Sequence, residues 1–147
     1  MALVYLDNCA IQRPLDDRDQ YRVRIEADAI TAVLAAVEQG TVDLLSSAAL
    51  RIESGRVRNR SRKEFAAAAL GLANRVIPAT SDVRTLAVRY QSVGIRSMDA
   101  LHLASAVLAG ADYFCTTDDR LLRRSASVDT QNTRVVDPLV LAEALSL

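Results

Sequence analysis

Several things are scarce in this 147-residue chain. It has two cysteines, Cys9 and Cys115, and one histidine, His102. Two cysteines are too few for a disulfide scaffold, and neither they nor the histidine have zinc-finger spacing. Both are expected to be reduced thiols in the core, with no Cys9–Cys115 disulfide. No apolar run approaches the roughly 20 residues needed to cross a bilayer. The N-terminus lacks the basic start and apolar stretch of a signal peptide. The expectation is a soluble cytoplasmic protein with no membrane contact. Glycine-rich turns are missing, which removes P-loop and dinucleotide-binding folds. No serine sits in a nucleophile elbow. Net charge is zero, which argues against bulk attraction to nucleic acid.

The length suits one domain, residues 1–147, with one ordinary core, and half the residues are hydrophobic. Charge is unevenly spread. Residues 1–50 carry four Arg against eight Asp and Glu. The stretch "RIESGRVRNRSRK" (51–63) reverses this, with Glu53 its only acid and Lys63 the only lysine in the chain. Arg56, Arg58 and Arg60 there form either a phosphate-binding face or a solvated helix face.

Short apolar runs alternate with helical stretches. "ALVYL" (2–6), "VDLLSS" (42–47), "RVIPA" (75–79), "DYFCTT" (112–117) and "TRVVD" (133–137) read as strands, the third short because Pro78 cannot donate to a ladder. Helices are predicted over 22–39, from strand two to about Gly55, over 61–74, to about Ser92, from a cap at Ser97 to Gly110, from Asp118, and from near Pro138. This alternation implies an α/β fold with a parallel sheet and helices on both faces. Sites in such sheets lie beyond the carboxyl ends of the strands.

Asp7 and Asp118 fall at that edge, after strands one and four. Asp99, in the first turn of the helix that begins near Ser97, and Glu53, on the helix after strand two, complete a candidate set. Each acid also has a purely local reading: Asp7 as a turn residue, Asp99 as a dipole partner. Together, four converging carboxylates would repel one another unless a hard cation such as Mg²⁺ or Mn²⁺ joined them. His102 reads more simply as a packed side chain than as a catalyst. The receiver-domain and haloacid-dehalogenase-type alternatives fail for want of a late lysine and of an Asp at position 9.

"YLDN", "SMDALHLASA" and "CTTDDRLL", in this order and separation, resemble the PIN-domain family, and within it the VapC-like toxins of bacterial toxin–antitoxin pairs. The resemblance spans most of the chain. It implies a three-layer α/β/α fold around a parallel sheet of four to five strands. It implies Mg²⁺- or Mn²⁺-dependent cleavage of RNA, with Asp7, Glu53, Asp99 and Asp118 holding the metal directly or through water. It also implies an antitoxin partner and a homodimer. Asn8 and Thr116 would support the site, and Arg56, Arg58, Arg60 and Arg120, with Arg123 and Arg124, would hold the RNA backbone. Many PIN domains place Ser, Thr or Asn where Cys9 stands, so either Asn8 takes over that role or metal affinity is reduced. Asp119 is expected to cap the helix after strand four. The alternative function is a PIN-like module that binds RNA or protein without cutting.

Overall fold

In the computed structural model, which describes residues 1–147, five strands form one parallel sheet in the order β3-β2-β1-β4-β5. The strands are β1 (Leu3–Leu6), β2 (Asp43–Ser47), β3 (Arg75–Ile77), β4 (Tyr113–Cys115) and β5 (Arg134–Val136). Between β1 and β2 run α1 (Asn8–Gln12), a 3₁₀ turn (Arg13–Leu15) and α2 (Tyr21–Glu38). Then come α3 (Ala48–Gly55) and α4 (Arg60–Leu70), α5 (Ser81–Ser92) and α6 (Ser97–Leu108), α7 (Asp119–Ser125) and α8 (Pro138–Ala144). Helix α2 packs on α8, and α5 packs on α6, giving the expected three-layer α/β/α architecture. No helix is long and apolar enough to cross a membrane.

Every side chain of β1 is buried. This is what a central parallel strand covered on both faces requires. Tyr5 stacks on Phe114, its register partner in β4, with ring centroids 5.3 Å apart. The order of strands explains where a site can form. The chain leaves β1 towards β2 and β3, then returns to place β4 on the other side of β1. Connections diverge at that point and leave a crevice beyond the strand ends. Asp7 N–H continues the β1–β4 pairing by one step, donating to Cys115 O at 3.1 Å.

Helix α1 and the 3₁₀ turn, both missing from the sequence reading, flank this crevice. They are tied down by charge. Arg13 bonds Glu26 through Nη2 at 2.7 Å and Asp16 through Nη1 at 3.0 Å. Arg62 of α4 reaches Asp16 at 2.9 Å and donates to Leu15 O at 3.0 Å. Part of the basic segment is therefore committed to packing. Glu26 is buried, and Arg13 at 2.7 Å and Arg22 at 3.3 Å are its ion-pair partners. Arg13→Ala should cost about 3 kcal/mol in urea denaturation, because a buried carboxylate loses its shortest partner. Arg60→Ala, which breaks an exposed pair with Glu64, should cost less than about 0.5 kcal/mol. Equal costs would contradict this assignment.

Candidate active site

Asp7, Glu53, Asp99 and Asp118 line one cavity of about 340 Å³ together with Asn8, Cys9, Arg96, Met98 and Thr117. Four carboxylates thus face a single guanidinium.

Each acid is placed by a different local device. Asp7 caps α1. Its Oδ1 accepts Ala10 N–H at 3.0 Å and the Cys9 thiol at 3.0 Å. The turn reading and the site reading of Asp7 are therefore compatible, since Oδ2 takes no part in the cap. Asp7 is only 4% exposed, and burial raises its pKa above the usual carboxylate range, against the opposing hydrogen bonds. Asp118 caps α7, accepting Arg120 N–H at 2.9 Å and Leu121 N–H at 3.4 Å, again through Oδ1. Its own N–H donates to Thr116 Oγ1 at 3.1 Å, so Thr116, fully buried, fixes the turn from below. Glu53 is held at 3.0 Å by Nε2 of His102. Asp99 lies in the first turn of α6 and is that turn's only acid.

Two expected caps differ. Helix α6 begins at Ser97 with Arg96 in the cap position, and no side chain caps it. An arginine has no side-chain acceptor with which to cap. Asp119 does not cap α7, because the preceding Asp118 already does. Asp119 instead takes a two-pronged bond from Arg22, at 2.8 Å to each oxygen, and this guanidinium lowers its pKa.

Cys9 acts as a donor to Asp7. Burial, then the Asp7 charge, pushes its thiol up to about 12, so it keeps its proton. A thiol is a weak hydrogen-bond donor, so it restrains the Asp7 carboxylate only weakly. Cys9 and Cys115 are both free. Asn8 Oδ1 is buried with no hydrogen-bond partner. An orphaned acceptor beside four carboxylates is costly on its own, and a cation or its waters would satisfy it. The donor set, all hard oxygens apart from one protonated thiol, fits Mg²⁺ or Mn²⁺. No three acid, imidazole or thiol groups close on a common point, so the acids ring the cavity rather than forming a complete cage.

The arginines sort into two groups. Arg56, Arg58 and Arg60 are exposed but do not line the cavity. Arg120 lies at its flank with Arg96, Arg124, Asp99 and Asp118. None of Arg96, Arg120 and Arg124 is in an ion pair, in contrast to Arg13, Arg22, Arg60 and Arg62. Arg124 crosses over Gly94, whose φ of +95° favours glycine, and an added Cβ there would collide with Arg124 Nη1. Arg96 was not singled out in the sequence. Its only signal was adjacency to "SMD".

Burial, then the Asp7 charge, with Asp118 and Glu53 adding to it and His102 opposing, pushes Asp99 up to about 6. A carboxyl whose pKa rises on folding stabilises the folded state fully below its ordinary value, 3.8, and loses that contribution as pH rises through about 6. This contribution should make the metal-free protein melt higher at about pH 5 than at about pH 7, and saturating Mg²⁺ should narrow the gap. Differential scanning calorimetry checks this, with the Asp99→Asn variant as control. A gap that is the same in that variant would contradict the assignment to Asp99.

The PIN domain family model matches residues 4–127. No curated protein sequence matches the chain. Among solved structures, the chain is similar to VapBC2 from Rickettsia felis bound to a DNA fragment from their promoter. The TM-score is 0.59 at 10% identity, covering 92% of this chain and 98% of that one. It is also similar to PAE2754 from Pyrobaculum aerophilum, with TM-score 0.57 at 17% identity, covering 99% and 97%. At these identities the structural likeness speaks for the fold, and the family match covers most of the sequence as well. This chain belongs to the PIN domain family.

Proposed function

We propose that this protein is a metal-dependent endoribonuclease of the VapC-like kind, with Asp7, Glu53, Asp99 and Asp118 as its acidic centre. PIN domains are generally nucleases that use divalent metals. The observation that carries the reading is the cavity itself: four carboxylates line it where the sheet's connections diverge, together with Asn8, whose buried side-chain oxygen has no partner. Mg²⁺ or Mn²⁺ bound there would offset charge on a phosphoryl group and lower the pKa of water. An incomplete cage suits Mg²⁺, which keeps several waters and needs few carboxylates.

The chain's own residues supply the rest. Asp7 and Asp118 are oriented by the helices they cap, and each has an oxygen outside its cap. Arg96, Arg120 and Arg124 flank the acids on one side as unpaired cations, suited to gripping RNA phosphates beside the cut. Arg56, Arg58 and Arg60 would serve a longer RNA or a protein partner. The likeness to VapBC2 supports an antitoxin as that partner. A homodimer is part of the same reading, and light scattering would test it.

The direct test incubates a tRNA and rRNA pool with the protein, with Mn²⁺ or with chelator, and maps the cut ends. Cuts are expected with Mn²⁺ alone. RNA binding without cuts under either condition would move the reading to a non-cleaving RNA-binding module. In the same assay Asp99→Asn should lose about a hundredfold or more of the cleavage rate. Its metal-free melting temperature should be equal or higher, because one repelling charge is gone. Arg96→Ala and Arg120→Ala should each weaken RNA binding and reduce the slope of log K against log salt by about 0.7 per lost contact. Unchanged slopes would remove these arginines from the RNA path.

A further inference from the structure

A buried line of polar groups runs behind the acid cavity. Ser47, at the end of β2, caps α3 by accepting Leu50 N–H at 3.0 Å. Its Oγ lies 2.7 Å from the Tyr5 hydroxyl. That hydroxyl lies 2.5 Å from Nδ1 of His102, and Nε2 of His102 lies 3.0 Å from Glu53 Oε1. Tyr5 and Ser47 are fully buried, and His102 is 1% exposed. The Glu53 side chain, 33% exposed, opens into the cavity. The line therefore starts at the N-terminus of α3, crosses β1 and α6, and returns to the last turn of α3.

Counting donors and acceptors fixes the protons. A carboxylate only accepts, so Nε2 must carry hydrogen. With one proton on the ring, Nδ1 accepts, and the Tyr5 hydroxyl must donate to it. The Tyr5 oxygen then accepts from the Ser47 hydroxyl, whose oxygen accepts Leu50 N–H. Every group in the line is satisfied in this arrangement. Burial keeps the Tyr5 phenol protonated well past neutral pH, so it remains able to donate.

We propose that Tyr5 and His102 are positioning residues that hold the Glu53 carboxylate aimed into the cavity, and that they act on metal affinity rather than on RNA binding. This rests on the metal-site reading of Glu53. The Glu53 carboxylate has no other hydrogen bond or ion pair. It sits just before Gly55, where the helix ends, so without His102 its side chain would be free to turn to solvent. A wholly structural filler for this space would not need polar groups, because an apolar core is less demanding than a buried network that must be satisfied throughout. Residues that orient a metal ligand in this way commonly set its affinity.

His102 is the only histidine, so its ring nitrogens can be read without ambiguity in protein labelled with ¹⁵N-histidine. The metal-free wild type should show hydrogen on Nε2 alone. Hydrogen on Nδ1 rather than Nε2 overturns the proton arrangement. Tyr5→Phe keeps the ring that stacks on Phe114 and removes only the hydroxyl, and with it the donor to Nδ1 and the acceptor of the Ser47 hydrogen. It should weaken Mn²⁺ binding by about tenfold or more in calorimetric titration, and lower kcat while leaving the KM for RNA unchanged. Added to Glu53→Gln, it should cause no further loss of Mn²⁺ affinity, because the two act through one group. His102→Gln, which retains an N–H donor, should bind Mn²⁺ more tightly than His102→Leu. If Tyr5→Phe folds poorly, the two His102 variants carry the test. A full additional loss on the Glu53→Gln background, or equal affinities for the His102 pair, overturns the positioning role. These outcomes separate from those of the nuclease reading. A wild type that binds Mn²⁺ and shows the expected coupling but cuts no RNA loses the nuclease reading and keeps the positioning one.

Discussion

Mutual repulsion among Asp7, Glu53, Asp99 and Asp118 is the constraint on which the rest of this structure depends. Like charges around one cavity favour an opened or protonated state, and the raised pKa of Asp99, due first to burial and then to the charges of Asp7, Asp118 and Glu53, registers part of that cost. The fold offsets it by giving these acids structural work. Asp7 caps α1 and Asp118 caps α7. Glu53 is bonded to a buried imidazole, and Asp99 sits in the positive first turn of α6. The same side chains that a cation would gather thus hold helices in place without it. This division matters for mutagenesis: removing Asp7 or Asp118 also removes a cap, whereas Asp99→Asn leaves the capping bonds intact.

Charge is arranged around the cavity in zones. On the side of α1 and α4, Arg13 and Arg62 are neutralised by Asp16 and Glu26. On the side of α6 and α7, Arg96, Arg120 and Arg124 have no carboxylate in an ion pair. Zero net charge over the whole chain conceals this asymmetry. An anionic polymer approaching the acids would meet unpaired cations on one flank and a closed ionic clamp on the other.

Much of the fold was legible in the sequence because its signals are local. "LVYL" has the unbroken apolar character of a central parallel strand, and "DALHLASAVLA" that of a deeply packed helix. Asp7 and Asp118 follow their strands directly, so their edge of the sheet could be read without coordinates. What was hidden depends on contacts between distant segments or on one-residue register. The cap of α7 falls on Asp118 rather than Asp119 by a single position. Arg96, expected nowhere, holds the cap position of α6 in place of Ser97, which is the first residue of the helix. Arg62 looks like its basic neighbours until Asp16 and Leu15 are brought beside it. Helix α1 is five residues long, too short for a periodic pattern. His102 was legible as a packed residue, but its bonds to Tyr5 and Glu53 join positions 97 and 49 residues apart.

The central claim is that these four acids form one cation site. The most direct measurement is anomalous diffraction from crystals soaked in Mn²⁺, collected for the wild type and for Asp99→Asn. The account predicts a strong manganese peak in the cavity bordered by Asp7, Glu53, Asp99 and Asp118, weakened or lost in the variant. A cavity without manganese in the wild type, or a peak of equal strength in both proteins, would contradict it.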